Sequence, residues 1–564
     1  MKKYFLAVAS FFIYSHISLG QVYPGQMDST FVPVRSHHYD PELTFDFCVN
    51  EPAWSNQAGI HSAFGSTDRL YFRKEVPVNH DNDLSSSYST TVWRGERANA
   101  QILVCSSEAL EQVRVSTQDL RSAEGNIIPK DRITFELVRY VLSNYPYAEK
   151  KAICGESPYK SGFLMPDRFE TLDRFDLPSQ TTRPVWMMVD VPRGTAPGTY
   201  KGQVEVRAKG KAPQFLNLEI VVQNQLLPYP KDWKYRLDLW QNPWAVAWYN
   251  HVEPWSPEHK MLLKQHLKHY ADAGGTYITT YGVHSPWSDN SYMIEWIKKA
   301  DGTWAFDYKI FDEYVELAME CGINEAITLY TPIPWGFRHR YKDEATGDYS
   351  YINWAPSSEE FKKMWNIFLT DFKFHLEAKS WLDITYIGIN ENPMEETLAA
   401  INVVRNHDKC WKITYAGNWH KELDGLLDDY SFLYGEEPTI AEQKARAATG
   451  RTSTVYVCCN PPIPNNFVFS PPIEGRWISW YVMAYGYDGF LRWAYDAWPE
   501  DADRDARHGS WAAGDCYMVY PGGKSCIRFE KMREGIVDFE KVRILRELTA
   551  QSGNAQAQGL LKQL

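Results

Sequence analysis

The stretch ITYIGINENP, residues 384–393, decides the fold of this chain. Its first six residues, ITYIGI, are apolar, aromatic or β-branched apart from one glycine, which is typical of a buried strand. The strand ends at Asn390 and Glu391, because Pro393 cannot donate a hydrogen bond to a sheet. A carboxylate at the C-terminal end of such a strand is where a (β/α)8 enzyme places its catalytic groups. An acidic cap on the following helix is the competing interpretation, and this stretch alone favours neither.

Strands and helices alternate on both sides of this stretch. Ser256-Pro257-Glu258 provides a helix N-cap followed by proline at the first helical position. Runs typical of buried strands recur between the helices, at 235–241, 277–282, 325–330, 384–389, 412–417, 431–435, 453–458 and 489–495. Eight strand–helix units predict a TIM-like (β/α)8 barrel over residues 231–550, with a last helix at 527–548.

The preceding part of the chain has a different pattern. Short alternating strands are broken by glycine and proline, as at 98–106, 133–143, 184–192 and 199–208. No long stretch of helical period intervenes, so residues 22–228 are predicted to form an antiparallel β-sandwich. Pro228, Tyr229 and Pro230 are typical of a connection between domains. The predicted fold class is therefore α/β plus all-β.

The first twenty residues are typical of a secretory signal peptide. Lys2 and Lys3 precede an apolar run at 4–17, and Ser18-Leu19-Gly20 offers small residues for cleavage before Gln21. The residue directly after the predicted cleavage point is Gln21 and not cysteine, so lipid attachment is not indicated. No later run is long and apolar enough to span a bilayer. The sequence predicts a periplasmic or secreted protein.

Composition argues against a nucleic-acid partner and is compatible with a carbohydrate partner, although many of the aromatic rings are expected to be core residues. The net charge is −12 and no dense patch of lysine and arginine occurs, which argues against a nucleic-acid partner. Aromatic residues make up 15% of the chain, with 22 Trp and 35 Tyr, and such rings can stack on sugar faces while their polar atoms bond hydroxyls. No metal-ligand spacing, phosphate loop or serine elbow is present, so no metal and no cofactor are predicted.

The ends of the predicted barrel strands carry the candidate site. A single Trp there is more often core than ligand contact, but aromatic, amide and carboxylate side chains recur at most strand ends, which predicts a sugar pocket. These residues are Trp240, Gln241, Asn242 and Trp244; Tyr281, His284, Trp287 and Asp289; Asn390 and Glu391; Asn418, Trp419 and His420; Tyr434, Glu436 and Glu437; and Trp493, Tyr495, Asp496 and Trp498.

The usual glycosidase mechanism needs two carboxylates beside the scissile bond. Strand 7 ends in Cys458-Cys459-Asn460, with no carboxylate, so Glu391 lacks a partner there. Glu436 or Glu437 after strand 6 is the alternative partner, and a helix cap is the other interpretation of that pair.

Several segments resemble glycoside hydrolase family 123, the exo-β-N-acetylgalactosaminidases and their relatives. They are VWRGERANAQILV (92–104), PVWMMVDVPRGTAPGTYKGQVEV (184–206), LDLWQNPWAVA (237–247), YIGINENP (386–393), RWAYDAW (492–498) and GDCYMVYPGGKSCIRFEKMREGIVDFE (514–540). The resemblance implies a β-sandwich followed by a barrel, and a substrate-assisted retaining mechanism with an Asp-Glu pair after strand 4. The Glu protonates the glycosidic oxygen, and the 2-acetamido oxygen of the sugar attacks the anomeric carbon. A protein nucleophile is then unnecessary, which accounts for the absence of a carboxylate at the end of strand 7.

The resemblance implies that Glu391 is the general acid/base. The position of the family's Asp is occupied by Asn390, whose amide accepts a hydrogen bond from the acetamido N–H but brings no negative charge. Asp383, Asp496 and Glu436 are the candidate replacements for that charge.

Further residues are predicted to bind substrate. Trp240, Trp493 and Trp498 are candidates for the wall of the sugar subsite, and Tyr485 or Tyr495 for a hydrogen bond to the acetamido oxygen; Asn242, Asn418 and Trp419 complete the set. Arg528 and Glu530 are expected to be structural, and Gly522-Gly523 to supply positive φ angles.

The resulting hypothesis is a retaining exo-glycosidase that removes terminal β-linked N-acetylhexosamine, with N-acetylgalactosamine as the expected sugar. Two alternatives remain because of Asn390: a glycosidase of different sugar specificity, and a glycan-binding protein without catalysis on the same scaffold.

Overall fold

The computed structural model describes residues 51–78, 84–143, 163–283, 291–508 and 511–561, so the predicted signal peptide lies outside the described residues. These residues divide into two compact units. One unit holds 234–461 and 481–497, and the other holds 51–233, 462–480 and 498–561. Residues 498–550, which the sequence analysis assigned to the barrel domain, therefore cluster with the second of these units.

The unit that begins at residue 51 is built on a β-sandwich. Its strands are β1 (His61–Gly65), β2 (Ser87–Arg94), β3 (Arg97–Ser106), β4 (Leu110–Thr117), β5 (Leu120–Arg121), β6 (Ile127–Ile128), β7 (Ile133–Ser143), β8 (Phe163–Thr171), β9 (Phe175–Leu177), β10 (Thr181–Asp190), β11 (Gly198–Arg207) and β12 (Gln214–Leu226). One sheet has the order β1-β3-β10-β7-β8, and the other has the order β2-β12-β11-β4-β9 with β5 and β6 at its side.

Both sheets contribute to one hydrophobic core. Ile102 and Met187 from the first sheet and Val204 and Leu218 from the second are almost completely buried in it. Alternating apolar side chains thus cover the inner face of each sheet, which confirms the predicted sandwich. The pairing is antiparallel except between β2 and β12, which run parallel.

The family-like block at 514–540 is part of the framework of this unit. Arg528 is buried and donates to Asp167 Oδ2 at 3.0 Å and to the carbonyl of Asn466 at 2.7 Å. Tyr520 donates to the same Asp167 oxygen at 2.8 Å. Gly522 and Gly523 have φ angles of 77° and 70°, as predicted for a turn that only glycine adopts without strain. Arg528 therefore has the structural role that was expected.

The other unit is a parallel barrel with an additional small sheet. Its strands are β13 (Arg236–Leu239), β14 (Tyr277–Tyr281), β15 (Glu295–Lys298), β16 (Trp304–Asp307), β17 (Ala326–Tyr330), β18 (Arg338–Asp343), β19 (Tyr349–Asn353), β20 (Thr385–Ile389), β21 (Lys412–Gly417), β22 (Asp429–Leu433), β23 (Thr452–Tyr456) and β24 (Gly489–Arg492). Eight of them pair in parallel in the order β13-β24-β23-β22-β21-β20-β17-β14.

The sheet nearly closes between its first and last strands. The amide and the hydroxyl of Thr276 both donate to the carbonyl of Leu237, at 3.1 and 3.0 Å. All eight predicted barrel strands are present within a few residues of their predicted bounds, and the predicted (β/α)8 barrel is confirmed.

Helices follow the strands where the capping residues predict them. The helices are α1 (Glu51–Trp54), α2 (Pro243–Asn250), α3 (Pro257–Asp272), α4 (Lys309–Glu320), α5 (Glu359–Lys379), α6 (Met394–His407), α7 (Lys421–Asp424), α8 (Ile440–Ala447), α9 (Ile473–Tyr485), α10 (Ile527–Ser552) and α11 (Ala555–Leu561). Short 3-10 turns lie at Lys130–Arg132, Pro230–Asp232, Trp335–Phe337 and Leu382–Ile384.

The start of α3 shows how the capping residues fix a helix. Ser256 accepts a hydrogen bond from the amide of His259, and Pro257 opens the helix as predicted. Within the described ranges, no helix combines the length and the apolarity needed to cross a membrane.

Two strand–helix connections of the barrel are enlarged into a second sheet. It has the order β16-β15-β18-β19, with β15 and β16 following β14 and with β18 and β19 following β17. One of its faces packs on α5, where Trp296 stacks on Phe368 at 4.8 Å and contacts Trp365 at 5.6 Å. Because the sheet grows from connections that begin at the C-terminal ends of strands, it belongs to the face where barrel enzymes carry their sites.

Candidate active site

Asn390 and Glu391 follow β20 directly, at the C-terminal end of the barrel. The neighbouring connection after β17 holds this corner in place. The amide of Asn390 donates to Thr331 Oγ1 at 3.3 Å, and Asn392 Nδ2 donates to the carbonyl of Ile333 at 3.2 Å. The helix α6 begins only at Met394, so Glu391 lies before it rather than within its first turn. This placement favours the catalytic interpretation of Glu391 over a helix cap.

Glu391 is held by one tyrosine. Tyr456, the last residue of β23, donates its hydroxyl to Glu391 Oε1 at 2.7 Å. The residue as a whole is exposed, but the protein atoms around its carboxyl group desolvate that group. This desolvation raises the pKa of Glu391, while the hydrogen bond from Tyr456 opposes the rise. A carboxyl group with a raised pKa is suited to donate a proton near neutral pH.

Trp240 belongs to the same corner of the barrel. Its ring lies 4.5 Å from that of Tyr330, the last residue of β17. Its indole Nε1 donates to Asp238 Oδ2 at 3.2 Å. Trp240 is half-buried and packs against the cluster that contains Tyr456, so Trp240, Tyr456 and Glu391 line one region. An indole fixed at one edge and open on part of its surface can stack on a sugar ring.

Asp238 lies beneath Trp240, inside the barrel. Burial, reinforced by the charge of Asp429, raises its pKa well above the usual range. The hydrogen bond from Trp240 Nε1 to Asp238 Oδ2 fixes the indole at this corner.

The carboxylates considered as replacements for a charge at residue 390 are engaged elsewhere or distant. Asp496 is buried, accepts from the amide of Asn242 at 2.7 Å, and has a pKa raised to about 8 by burial. Asp383 lies in the turn that precedes β20, at the opposite end of the strand from Glu391. Glu437 accepts from Tyr481 at 2.7 Å and from the amide of Gly435 at 2.8 Å, while Glu436 is exposed. Among these residues none contacts Glu391.

Four more of the predicted substrate residues lie at the rim. Asn418 and Trp419 follow β21, which neighbours β20, and Trp419 packs on Tyr430 at 5.7 Å. Trp493 follows β24 and is half-buried. Asn242 follows β13, but its side chain is buried, and its two polar atoms have no hydrogen-bond partner among the described residues.

Three predicted substrate residues are not brought to this corner. Tyr485 ends α9 three residues before Asp488, whose carbonyl accepts from the amide of Arg236 at the start of β13, so it lies towards the opposite end of the barrel. Tyr495 is buried and donates to the carbonyl of His266 on α3 at 2.9 Å. Trp498 belongs to the other compact unit, where its Nε1 donates to the carbonyl of Val519 at 2.7 Å. His284, Trp287 and Asp289 lie outside the described residues.

Tyr456 is the principal residue that the sequence analysis missed. The sequence pattern predicts only that Tyr456 belongs to a strand, although a polar residue at the last position of a barrel strand lies at the same rim as Glu391. Thr331, the first residue after β17 in the loop that carries the exposed Trp335, was missed for the same reason. No group of three His, Cys, Asp or Glu side chains within the described ranges is placed to hold a metal ion.

Replacing Tyr456 by phenylalanine should raise the pKa of Glu391 further. The lost hydrogen bond favoured the carboxylate, so the alkaline limb of the pH–kcat/KM profile should move to higher pH. We also expect kcat/KM to fall roughly 10-fold, the effect of losing one hydrogen bond to a charged group. Tyr415→Phe is the matched control, because that hydroxyl lies at the end of the neighbouring strand β21 and does not bond Glu391. If the alkaline limb lies at the same pH in Tyr456→Phe and Tyr415→Phe, the hydrogen bond from Tyr456 to Glu391 would be contradicted.

Comparison with known proteins agrees with this architecture. The model of the glycoside hydrolase 123 catalytic domain matches residues 240–545, and that of the glycoside hydrolase 123 N-terminal domain matches residues 64–208. No curated protein matches the chain.

A solved structure of a family 123 glycoside hydrolase from Clostridium perfringens, described for glycolipid glycan hydrolysis, is 26% identical with a TM-score of 0.80. It covers 88% of this chain and 90% of its own. A family 39 glycoside hydrolase from Bacteroides cellulosilyticus is 10% identical, with a TM-score of 0.34 over 75% of this chain and 79% of that chain. The catalytic-domain match alone spans more than half of the 564 residues. The chain therefore belongs to glycoside hydrolase family 123.

Proposed function

We propose that this glycoside hydrolase removes terminal β-linked N-acetylhexosamine, with N-acetylgalactosamine as the preferred sugar, by substrate-assisted catalysis with retention of configuration. Glu391 is the general acid/base, and Asn390 orients the 2-acetamido group of the substrate. The observation that carries the proposal is that Glu391 has no carboxylate partner among the described residues.

The isolation of Glu391 follows from both geometry and electrostatics. Retaining enzymes with a protein nucleophile hold two carboxyl groups about 5–5.5 Å apart. A like charge at that distance raises the pKa of one group by repulsion. The pKa of Glu391 is raised by burial and lowered by Tyr456, and no other described carboxylate contributes to the shift. β23, the seventh barrel strand, ends in Tyr456 and continues into Cys458 and Cys459, which supply no carboxylate.

The chemistry needs only one protein carboxyl group. Glu391 protonates the glycosidic oxygen as the bond from that oxygen to the anomeric carbon breaks, and the acetamido oxygen forms a bond to that carbon. The Glu391 carboxylate then removes a proton from water, whose oxygen attacks the anomeric carbon and reopens the oxazolinium ring. Two displacements at one carbon retain its configuration.

Asn390 is suited to hold the acetamido group. Its backbone is fixed by Thr331, it precedes Glu391 directly, and its side chain is half-buried. A side-chain amide oxygen accepts a hydrogen bond from the acetamido N–H and so directs the acetamido oxygen towards the anomeric carbon. Because the amide is neutral, it stabilises the developing cation less than a carboxylate would.

We also propose that the protein is exported and acts in the periplasm or outside the cell. The predicted signal peptide at residues 1–20 supports this location, and so does the disulfide bond of Cys459, since disulfides persist in oxidising compartments. N-terminal sequencing of the protein from the extracytoplasmic fraction should begin at Gln21; a sequence that begins at Met1 would contradict export by cleavage.

Three aryl glycosides test the reaction. We expect kcat/KM to be highest for β-N-acetylgalactosaminide, lower for β-N-acetylglucosaminide, and lower by at least about a thousandfold for β-galactoside, which lacks the internal nucleophile. A stable mimic of the oxazoline intermediate should inhibit competitively. Galactoside turnover as fast as that of the N-acetyl sugars would contradict substrate assistance and favour a glycosidase of different specificity.

A further inference from the structure

The outer face of the small sheet presents arginine and tyrosine side chains together. Along β18, Arg338 and Arg340 share one face and His339 between them lies on the other. Arg338 is half-buried, whereas Arg340 is only 9% exposed. The guanidinium of Arg338 lies 3.6 Å from the ring centre of Tyr351. Tyr351 and Tyr349 belong to the neighbouring strand β19 and are 37% and 44% exposed. Cation–aromatic stacking thus covers this face, in a chain whose net charge is −12.

Arg340 lies at the centre of this arrangement. Its guanidinium is 3.6 Å from the ring centre of Tyr349 and 4.2 Å from that of Tyr292, so tyrosine rings cover its flat faces. Its Nε is buried without a hydrogen-bond partner, and its terminal nitrogens have no ion-pair partner among the described residues. Stacking uses the faces of a guanidinium and leaves its N–H edge, which matches the two oxygens of a carboxylate or sulfate.

Glu295 is bound to the two tyrosines that cover Arg340. Glu295 accepts from the hydroxyls of Tyr292 and Tyr349, at 2.9 and 2.5 Å. These hydroxyls lie 3.1 Å apart, so the carboxylate of Glu295 positions both rings around Arg340. Lys342, on the same strand face as Arg338 and Arg340, lies 6.0 Å from the ring of Tyr349 and adds a third positive charge.

A short loop joins this face to Glu391. It begins after β17, where Thr331 and Ile333 bind Asn390 and Asn392, and it ends where β18 starts at Arg338. Trp335 lies between these anchors and is 41% exposed. The far side of the loop is fixed by Asn353 Nδ2, which donates to the carbonyl of Gly336 at 2.8 Å. An exposed indole on a fixed loop is suited to stack on a sugar ring next to the one that is cleaved.

We propose that Trp335 and the arginine–tyrosine face bind the leaving-group part of the glycan, and that this part carries an acidic sugar whose carboxylate or sulfate pairs with Arg340. The assignment to the leaving-group side rests on the proposed function, because an exo-acting enzyme has only one sugar on the other side of the scissile bond. The preference for an acidic sugar rests on the charges and contacts of the face itself.

Binding to a protein that cannot turn over tests the proposal. The full chain with Glu391→Gln is titrated with methyl β-galactoside, its 3-O-sulfate and methyl β-glucuronide. We expect the two acidic sugars to bind roughly 10- to 100-fold more tightly than the neutral one, and added salt to reduce this difference. The difference in affinity between the sulfated galactoside and the glucuronide shows whether Arg340 prefers a sulfate or a carboxylate.

Substitutions of Arg340 distinguish paired hydrogen bonding by its planar guanidinium from attraction by its positive charge alone. Arg340→Gln should abolish the preference for acidic sugars, and Arg340→Lys, which keeps the charge and loses the fork, should retain part of it. Arg451→Gln removes a charge at the start of β23, at the other end of the barrel, and is the matched control. A preference that survives Arg340→Gln, or equal binding of acidic and neutral sugars by the parent, would overturn the proposal.

Failure of the proposed function gives a different result. The aryl N-acetylhexosaminides lack a leaving-group sugar and report on Glu391 alone. If they are not hydrolysed while acidic sugars still bind through Arg340, the acidic subsite stands and the proposed reaction does not.

Discussion

Replacing Glu391 by glutamine is expected to lower kcat on an N-acetylhexosaminide with a poor leaving group by about 10²- to 10⁴-fold, the usual contribution of a general acid. Glutamine keeps the size of the side chain and can still meet the hydroxyl of Tyr456, so the fold of this corner is retained. It cannot donate a proton to the glycosidic oxygen. A substrate with a dinitrophenyl leaving group needs no such proton, so Glu391→Gln should lower its kcat by a smaller factor. The ratio of the two factors measures the contribution of acid catalysis.

The pH dependence should change with the same substitution. Because burial raises the pKa of Glu391, the acid form persists to higher pH than for an ordinary Glu. In the native enzyme kcat/KM should fall as the pH rises through that raised pKa, since the proton donor is lost. In Glu391→Gln this alkaline limb should be absent. A variant that keeps both the rate and the limb would remove Glu391 from the mechanism.

The barrel was predictable because its strands are short apolar runs that end in turn residues. β21 lies at 412–417 as predicted, and Ile413 is buried in the packed interior while Gly417 ends the strand. The small sheet was not predictable in this way. Its strand β18 has the sequence RHRYKD, which has the composition of a solvated loop. It is held by His339 and by Trp296 of β15 against α5, and such contacts between distant segments leave no local pattern.

The candidate site was predictable where the chain stays at the rim of the barrel. Trp240, Asn418 and Trp493 follow strand ends closely and lie there. Trp498 follows β24 as well, but the chain leaves the barrel unit after Ala497, so its ring packs elsewhere. Tyr495 is separated from the end of β24 by two residues, and its side chain contacts α3 instead of the site. Proximity to a strand end along the sequence thus predicts a site residue only for the first one or two positions.

Asn390 marks the point where this chain departs from the Asp-Glu pair implied by its family. Asn390→Asp is expected to raise kcat on N-acetylhexosaminides, because a carboxylate beside the developing oxazolinium supplies electrostatic stabilisation of roughly 3–4 kcal/mol. The new charge next to Glu391 should also raise the pKa of Glu391, so the alkaline limb should move to higher pH. Asn418→Asp places the same charge on the exposed rim after β21 and is the matched control.

Asn390→Ala separates the two roles of the side chain, because it removes the hydrogen bond without adding charge. We expect kcat on N-acetylhexosaminides to fall by about 10²- to 10³-fold, as when one aligned hydrogen-bonding group is removed from a reacting centre, while galactoside hydrolysis changes little. A loss in Asn390→Ala together with a gain in Asn390→Asp would mean that the asparagine works but lacks charge. A loss in both variants would mean that the site is built for an amide, and the native sugar would then differ from the one that the Asp-Glu relatives hydrolyse. If neither substitution changes the rate on N-acetyl sugars, Asn390 does not touch the acetamido group, and the orienting group must be sought elsewhere on the rim.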